Sequence, residues 1–249
     1  MITDSFDKNG SSVINLEAFY GPKKNIVQKS LIIFSKVIYD EMLQQYSCRQ
    51  IGEVTACNGN RPVWAFSHGG EEMAFYLTPI GSALAGSTVA EVNHLTGATK
   101  FIMFGSCGSL DGEATKGRFV VPTQAYRGEG LSYYYAAPQD YLTIKNANRV
   151  AEIFANLHIP FVKGRVWTTD SMLRETVQLV RQRKQEGCIA VEMELAVVQA
   201  VCDFLGLELY DFLAAGDVLM DDSYESAGLS DANHNTDKLQ IALRIAESI

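Results

Sequence analysis

Short apolar runs recur along this chain, each bounded by small or polar residues, and most are followed by a stretch with helical spacing. Ser30 to Phe34 is the first such run, and the pattern after it predicts a helix through about Tyr46. Residues 1–28 show neither period and read as an irregular lead-in. Arg61 to Ser67 and Met73 to Thr78 are rich in β-forming residues and flank His68-Gly69-Gly70-Glu71-Glu72, which is a hairpin signal. Thr88-Val89-Ala90-Glu91 has capping-box spacing, in which the Thr side chain holds a backbone N–H and Glu reaches back; a helix is expected to open there and end near Gly97. Further strands are expected at 100–104, 118–122, 161–167, 188–191 and 208–214, and helices at 144–157, 175–185, 194–205 and 231–248.

Alternation of short apolar strands with amphipathic helices points to an α/β fold with helices flanking a largely parallel sheet. The 118–135 region carries no helical pattern, so some strands there are expected to run antiparallel or curl away. No repeat, low-complexity run or Pro/Gly-rich linker divides the chain, and residues 1–249 read as one domain.

Composition narrows the function. A formal net charge of -8 argues against a nucleic-acid groove, which needs clustered Lys and Arg. The densest basic stretch, Arg181-Gln182-Arg183-Lys184, reads as a solvated helix face. No apolar run approaches the roughly 20 residues needed to span a bilayer, so no membrane partner is expected. Met1 to Gly10 is polar and acidic, without a secretory pattern. Five cysteines without CxxC spacing fit reduced thiols, and the expectation is a cytoplasmic protein with no metal site. The four histidines are dispersed, with no HExxH and no recognisable Ser/His/Asp spacing.

Ligands of α/β sheets collect where strands end and loops diverge. Three strands here end in chemistry: Phe101 to Phe104 runs into Gly105-Ser106-Cys107-Gly108-Ser109, Ile189 to Val191 into Glu192-Met193-Glu194, and Leu209 to Ala215 into Gly216-Asp217. The first reads as a turn able to present successive N–H groups and the Ser106 hydroxyl to an anion, or as an ordinary Gly-rich turn. Glu192 and Glu194 are two apart, so both can face one side of an extended backbone and accept from vicinal hydroxyls; a helix-start acid is the plainer alternative. Asp217 follows a long apolar stretch, where partial burial is expected to raise its pKa and suit a proton donor. Arg127-Gly128-Glu129-Gly130-Leu131-Ser132-Tyr133-Tyr134-Tyr135 is an aromatic loop suited to a pocket or a subunit interface, or equally to a sheet edge.

Taken in order from about Leu31 to Asp222, these segments resemble the nucleoside phosphorylase family of purine nucleoside and uridine phosphorylases. Ala190-Val191-Glu192-Met193-Glu194 looks like the family's Val-Glu-Met-Glu ribose motif, and the Phe104 to Gly108 segment is similar to its phosphate-binding turn. Trp167-Thr168-Thr169-Asp170-Ser171 with Arg174-Glu175-Thr176 resembles the base-pocket segment of the uridine-phosphorylase-like branch, as does the Arg127 to Tyr135 loop. The resemblance implies a three-layer α/β/α sandwich around a central mixed, largely parallel twisted sheet. It also implies a homo-oligomer (dimer or hexamer) whose neighbouring subunits complete each site. Glu194, Met193 and Glu192 would hold the ribose, and Asp217 would protonate or hydrogen-bond the departing base. Gly105, Ser106 and a neighbour's Arg49 would hold phosphate, and Thr168, Thr169, Met172 and Arg127 would form the base pocket.

No cofactor is implied beyond inorganic phosphate as cosubstrate. Phosphorylases of this family carry an arginine two residues before the Gly of the phosphate turn, where this chain has Met103. They carry another after the first strand, where an ungapped match places Tyr39. A methionine cannot replace bidentate anion recognition, so Lys36 or Arg127 becomes an alternative phosphate contact. Three activities stay open: phosphorolytic cleavage of a nucleoside, hydrolytic cleavage, and nucleoside binding without turnover.

Overall fold

Eleven strands hydrogen-bond into one mixed sheet in a computed structural model that describes residues 1–249, accompanied by nine α-helices. The lead-in contains α1 (Leu16–Tyr20), then β1 (Lys29–Ile33) runs into α2 (Lys36–Gln45). A meander of β2 (Arg49–Val54), β3 (Arg61–His68) and β4 (Glu71–Leu77) precedes α3 (Ser82–Thr96) and β5 (Lys100–Ser109). Next come α4 (Gly112–Thr115), β6 (Phe119–Gly128), β7 (Tyr141–Thr143), α5 (Ala147–Asn156) and β8 (Phe161–Thr169). The last third holds α6 (Val177–Gln185), β9 (Cys188–Glu192), α7 (Leu195–Leu205), β10 (Glu208–Leu219), β11 (Tyr224–Glu225), α8 (Leu229–His234) and α9 (Asp237–Ser248).

The strand order is β11-β10-β6-β8-β9-β5-β1-β4-β3-β2, and β10 also pairs with β5. That extra pairing closes β5, β9, β8, β6 and β10 into a ring, while β1, β4, β3 and β2 extend from it as an open wing. The sheet is less parallel than the helix–strand alternation predicts: β1 pairs in parallel with β4 and β5, as do β5 with β10 and β8 with β6 and β9, but the remaining pairings are antiparallel. Ring closure removes edges that an open sheet would expose.

The core explains the elements. β1 is buried at every position, as a strand covered on both faces must be. Leu195 to Cys202 of α7 are all buried, Gln199 being the one polar residue among them, so this helix lies inside the fold rather than on it. Each large aliphatic side chain in this 56-residue cluster contributes about 1.5–3 kcal/mol on burial. The hairpin forms where its sequence predicts, because Gly69 and Gly70 take positive φ at its turn.

Three expectations need correction. α3 opens at Ser82, and Thr88 lies buried inside it, so the capping-box spacing there marks no helix start. The helix starts early because it is made of small residues that approach α7; a Cβ on Gly86 would sit 2.7 Å from Val197. Gly105 to Ser109 is not a turn but a continuation of β5, held beside β10 through Cys107 and beside β9 at Gly108 and Ser109. The helix expected at 231–248 is two helices, broken at Asn235 and Thr236. β2 follows no period visible in the sequence and forms by pairing with β3. No helix is long and apolar enough to cross a membrane.

Candidate active site

A cavity of about 730 Å³ opens beside the ends of β1, β5, β9 and β10. Its walls include Gly105 and Ser106 from β5, Glu192 to Glu194 from the β9–α7 junction and Asp217 from β10. The three chemistry-bearing strand ends read from the sequence therefore share one hollow. Met172 lies on its wall as well.

At the β9–α7 junction the two glutamates divide their work. The Glu192 carboxylate accepts the N–H groups of Glu194 (2.6 Å) and Leu195 (2.7 Å) and the Thr168 hydroxyl. Those amides are the unpaired donors at the N-terminus of α7, so Glu192 caps the helix and its acceptor capacity is largely spent. Glu194 is held more lightly: its Oε1 accepts the Gly81 N–H at 2.6 Å. Burial, then the neighbouring Glu192 charge, pushes the Glu194 carboxyl up to about 8. Burial likewise lifts Glu192, to about 7. Asp211 lies beneath them on β10, fully buried with neither carboxyl oxygen hydrogen-bonded. Burial, then the two glutamate charges, push its carboxyl well above the usual range.

Asp217 stands at a β-bulge in β10, where pairing with β5 slips between Ala215 and Val218. A bulge re-aims side chains beside a pocket. Two glycines let it form: a Cβ on Gly108 would meet Leu219 at 2.7 Å and Asp217 at 3.2 Å, and one on Gly216 would meet Ala232 at 2.7 Å. Glu175 shares this end of the cavity. Its carboxyl is pushed up to about 7, first by burial and then by the Asp217 charge. A half-protonated acid thus stands beside Asp217 in Glu175, a residue the sequence places in the base segment without a role.

The Ser106 end is built largely by the C-terminal helices. The Ser106 hydroxyl donates to Asn233 Oδ1. Ser35, at the end of β1, lies 2.9 Å from His234 Nδ1. Lys238, on α9, is buried and donates to the carbonyls of Gly105 (3.3 Å), Ala232 and Asn233 (3.3 Å). Burial lowers its pKa to about 8, against a smaller opposing effect of Cys107. Lys36 and Met103 also line this end, and no arginine lines the cavity. Asn233, His234 and Lys238 carry no sequence motif; the only signal was the polar Asn233-His234-Asn235-Thr236 cluster, which a single-helix reading absorbs.

Several expected residues lie elsewhere. Arg49 is exposed on β2 and pairs with Glu72 at 2.9 Å, away from its own chain's cavity. Thr168 and Thr169 are buried and do not line it; Thr168 instead accepts the Ala196 N–H at 3.0 Å while donating to Glu192, which locks the start of α7. Arg127 is buried and committed to its own loop: its guanidinium donates to Ser132 Oγ (2.8 Å) and to the carbonyls of Ala136, Ala137 and Gln139, over the Tyr133 ring at 3.9 Å. Four of the five guanidinium N–H groups are thus spent within the loop, and Arg127 does not line the cavity. Tyr39 sits in the core and accepts from Trp64 Nε1 at 2.7 Å, so Ser35 and Lys36, not Tyr39, occupy the cavity wall after β1.

No group of three or more His, Cys, Asp or Glu side chains is placed to hold a metal ion. The model of the phosphorylase superfamily matches residues 40–248. Guanosine phosphorylase of Halorubrum lacusprofundi is 26% identical over 162 residues, which is 62% of this chain and just under two thirds (65%) of that protein's length. An uncharacterised protein of Acanthamoeba polyphaga mimivirus is 24% identical over 182 residues, covering 72% of this chain and 71% of that one. In fold, the chain is similar to Campylobacter jejuni 5'-methylthioadenosine/S-adenosyl homocysteine nucleosidase, with a TM-score of 0.71 at 16% identity, over 90% of this chain and 100% of that one. A futalosine hydrolase mutant of Helicobacter pylori is similar too, with a TM-score of 0.68 at 18% identity, over 90% and 100% of the two chains. From Asp40 through α9 the chain carries the pattern of one family, and it belongs to the phosphorylase superfamily.

Proposed function

We propose that this protein is an enzyme that cleaves the N-glycosidic bond of a ribonucleoside by phosphorolysis, releasing the base and ribose 1-phosphate. The observation that carries the reading is the convergence of Met193, Glu194, Asp217 and Ser106 on one nucleoside-sized cavity. Guanosine phosphorylase among its relatives supports the same chemistry. Glu194 accepts the ribose hydroxyls, Met193 packs on the sugar, and Glu192 acts indirectly by fixing the backbone that presents them. As the bond to the base breaks, its electron pair goes to the base nitrogen, and C1′ becomes cationic before a phosphate oxygen bonds to it. Asp217 hydrogen-bonds the departing base, and the neutral Glu175 carboxyl beside it supplies the proton; the new phosphate ester releases one to solvent, which restores the acid. General-acid help of this kind is worth about 10²–10⁴ in rate. Positioning of sugar and acceptor supplies much of the remainder.

A second reading, hydrolysis by water, is favoured by one observation: no arginine lines the cavity, and Met103 faces it instead. Base release from a panel of purine and pyrimidine ribonucleosides, with and without phosphate, separates the two. Ribose 1-phosphate formed only with phosphate supports phosphorolysis, and free ribose formed equally fast without it excludes it. Asp217→Asn is expected to bind nucleoside but release base at least about 100-fold more slowly. Binding with equal, negligible turnover in both proteins would reduce the chain to a nucleoside-binding protein.

A further inference from the structure

The cavity lacks an arginine where an anionic acceptor would sit, but the Ser106 end is not without donors. Ser35 caps α2: its Oγ accepts the Ile38 N–H at 3.4 Å. The same oxygen lies 2.9 Å from His234 Nδ1, and this is the one hydrogen bond the imidazole makes. With the Ile38 N–H already directed at its oxygen, Ser35 has its hydroxyl proton to offer, and His234 Nδ1 is the side-chain partner within reach. A serine that accepts from the backbone and donates to Nδ1 leaves that nitrogen without a proton, and the neutral ring then carries its hydrogen on Nε2. His234 lines the cavity, so what it offers there is an N–H, not a lone pair. Lys36, whose ammonium is paired with Asp40, and Asn233 line the same end, and Asn233 Oδ1 is already taken by Ser106.

From this we infer that His234, held in its Nε2–H form by Ser35, is the residue that binds the acceptor phosphate, in the place where other members of the family use guanidinium groups. The inference rests on the reading of the cavity as a nucleoside-cleaving site, and it deepens it: a lone pair at Nε2 would suit deprotonation of water, whereas a fixed donor suits an oxyanion. One helix break makes the arrangement. Because α8 ends at His234 and the chain turns before α9, His234 and Lys238 both reach the same end of the cavity; one continuous helix would instead have run past it. Selection between phosphate and water then depends on α8, an element packed on Gly216 next to the bulge that carries Asp217.

The test measures binding of inorganic phosphate to the full chain by equilibrium dialysis, and separately the KM for phosphate and for a cleaved nucleoside. In His234→Ala, phosphate affinity is expected to fall about tenfold or more, the loss of one charge-assisted hydrogen bond, with the nucleoside KM unchanged. Ser35→Ala frees the ring to change tautomer and is expected to weaken phosphate by a smaller factor. His234→Gln keeps an N–H donor and is expected to retain most of the affinity, which guards against a loss caused by misfolding. Unchanged phosphate binding in His234→Ala overturns the inference. So does a wild type that forms free ribose at the same rate without phosphate, and in that case nucleoside cleavage itself still stands. Conversely, phosphate binding that depends on His234 in a protein that cleaves no nucleoside supports the anion site and refutes the enzymatic reading alone.

Discussion

Glu194 Oε1 accepts the backbone N–H of Gly81 at 2.6 Å, across 113 positions of sequence. Gly81 is the N-cap of α3, at φ +107°, and Glu194 is the N-cap of α7. Two helix starts are thus tied together by a carboxylate that also faces the cavity. The tie fixes one oxygen of the group that would hold the ribose, so the side chain does not have to be ordered again when a ligand arrives. A Cβ at Gly81 would strain this φ, and the geometry of Glu194 depends on that glycine.

The buried carboxyls make stability depend on pH in a definite sense. Glu192 and Glu194 titrate near 7 and 8 in the fold, against 4.5 ordinarily. Between those values the folded chain holds protons that the unfolded chain has lost, so their contribution weakens as pH rises from about 5 to about 8. Glu194→Gln removes that loss. Its stability relative to wild type, from urea unfolding, is expected to grow with pH across this window; a constant difference would show that Glu194 is not held protonated.

Asp211 has no hydrogen-bond partner and does not line the cavity. An unpaired buried carboxyl costs about 1–3 kcal/mol. Asp211→Leu, which keeps the branched shape, is expected to raise the melting temperature by several degrees while leaving nucleoside KM unchanged. A fall in both would assign Asp211 a partner in the working enzyme.

Glu175 titrates at about 7 beside Asp217. If its neutral form supplies the proton, kcat falls as pH rises through about 7. Glu175→Gln cannot donate that proton, and it is expected to lose about 100-fold in kcat at pH 6 and to flatten the profile. A profile that keeps its inflection near 7 in this variant would move the acid to another group.

Gly108 is the contact point between β5, β9 and the Asp217 bulge. Gly108→Ala forces Leu219, Val191 and Asp217 apart, with Cβ distances of 2.7, 3.1 and 3.2 Å. Overpacking of this kind costs roughly 1–3 kcal/mol. Base release should fall further than stability does, because Asp217 is displaced; full activity in the folded variant would show that its position is not critical.

Arg127 offers a contrast between sequence and structure. Read along the chain it belongs to a base pocket, but its donors serve Ser132 and three loop carbonyls. Arg127→Ala is expected to destabilise the fold by about 3 kcal/mol, with nucleoside KM unchanged in the protein that still folds. A raised KM without loss of stability would return Arg127 to the pocket.

Much of this molecule is decided locally. The Gly69-Gly70 hairpin, β1, the buried stretch of α7 and the Val191 to Glu194 junction follow from periods, turn glycines and the abrupt end of an apolar run, all of which neighbouring residues settle among themselves. Tertiary pairing decided the rest. Gly105 to Ser109 has the composition of a turn but lies straight because β10 and β9 supply hydrogen-bond partners on either side. The ring of five strands, the break before α9 that delivers His234 and Lys238, and the withdrawal of Thr168 from the cavity depend on contacts between residues far apart in sequence, whereas Arg127 is withdrawn by its own loop. A carboxylate or a guanidinium has the same chemistry wherever it stands in the chain. Whether it faces a ligand or satisfies buried amides and carbonyls depends on which distant backbone groups folding leaves beside it.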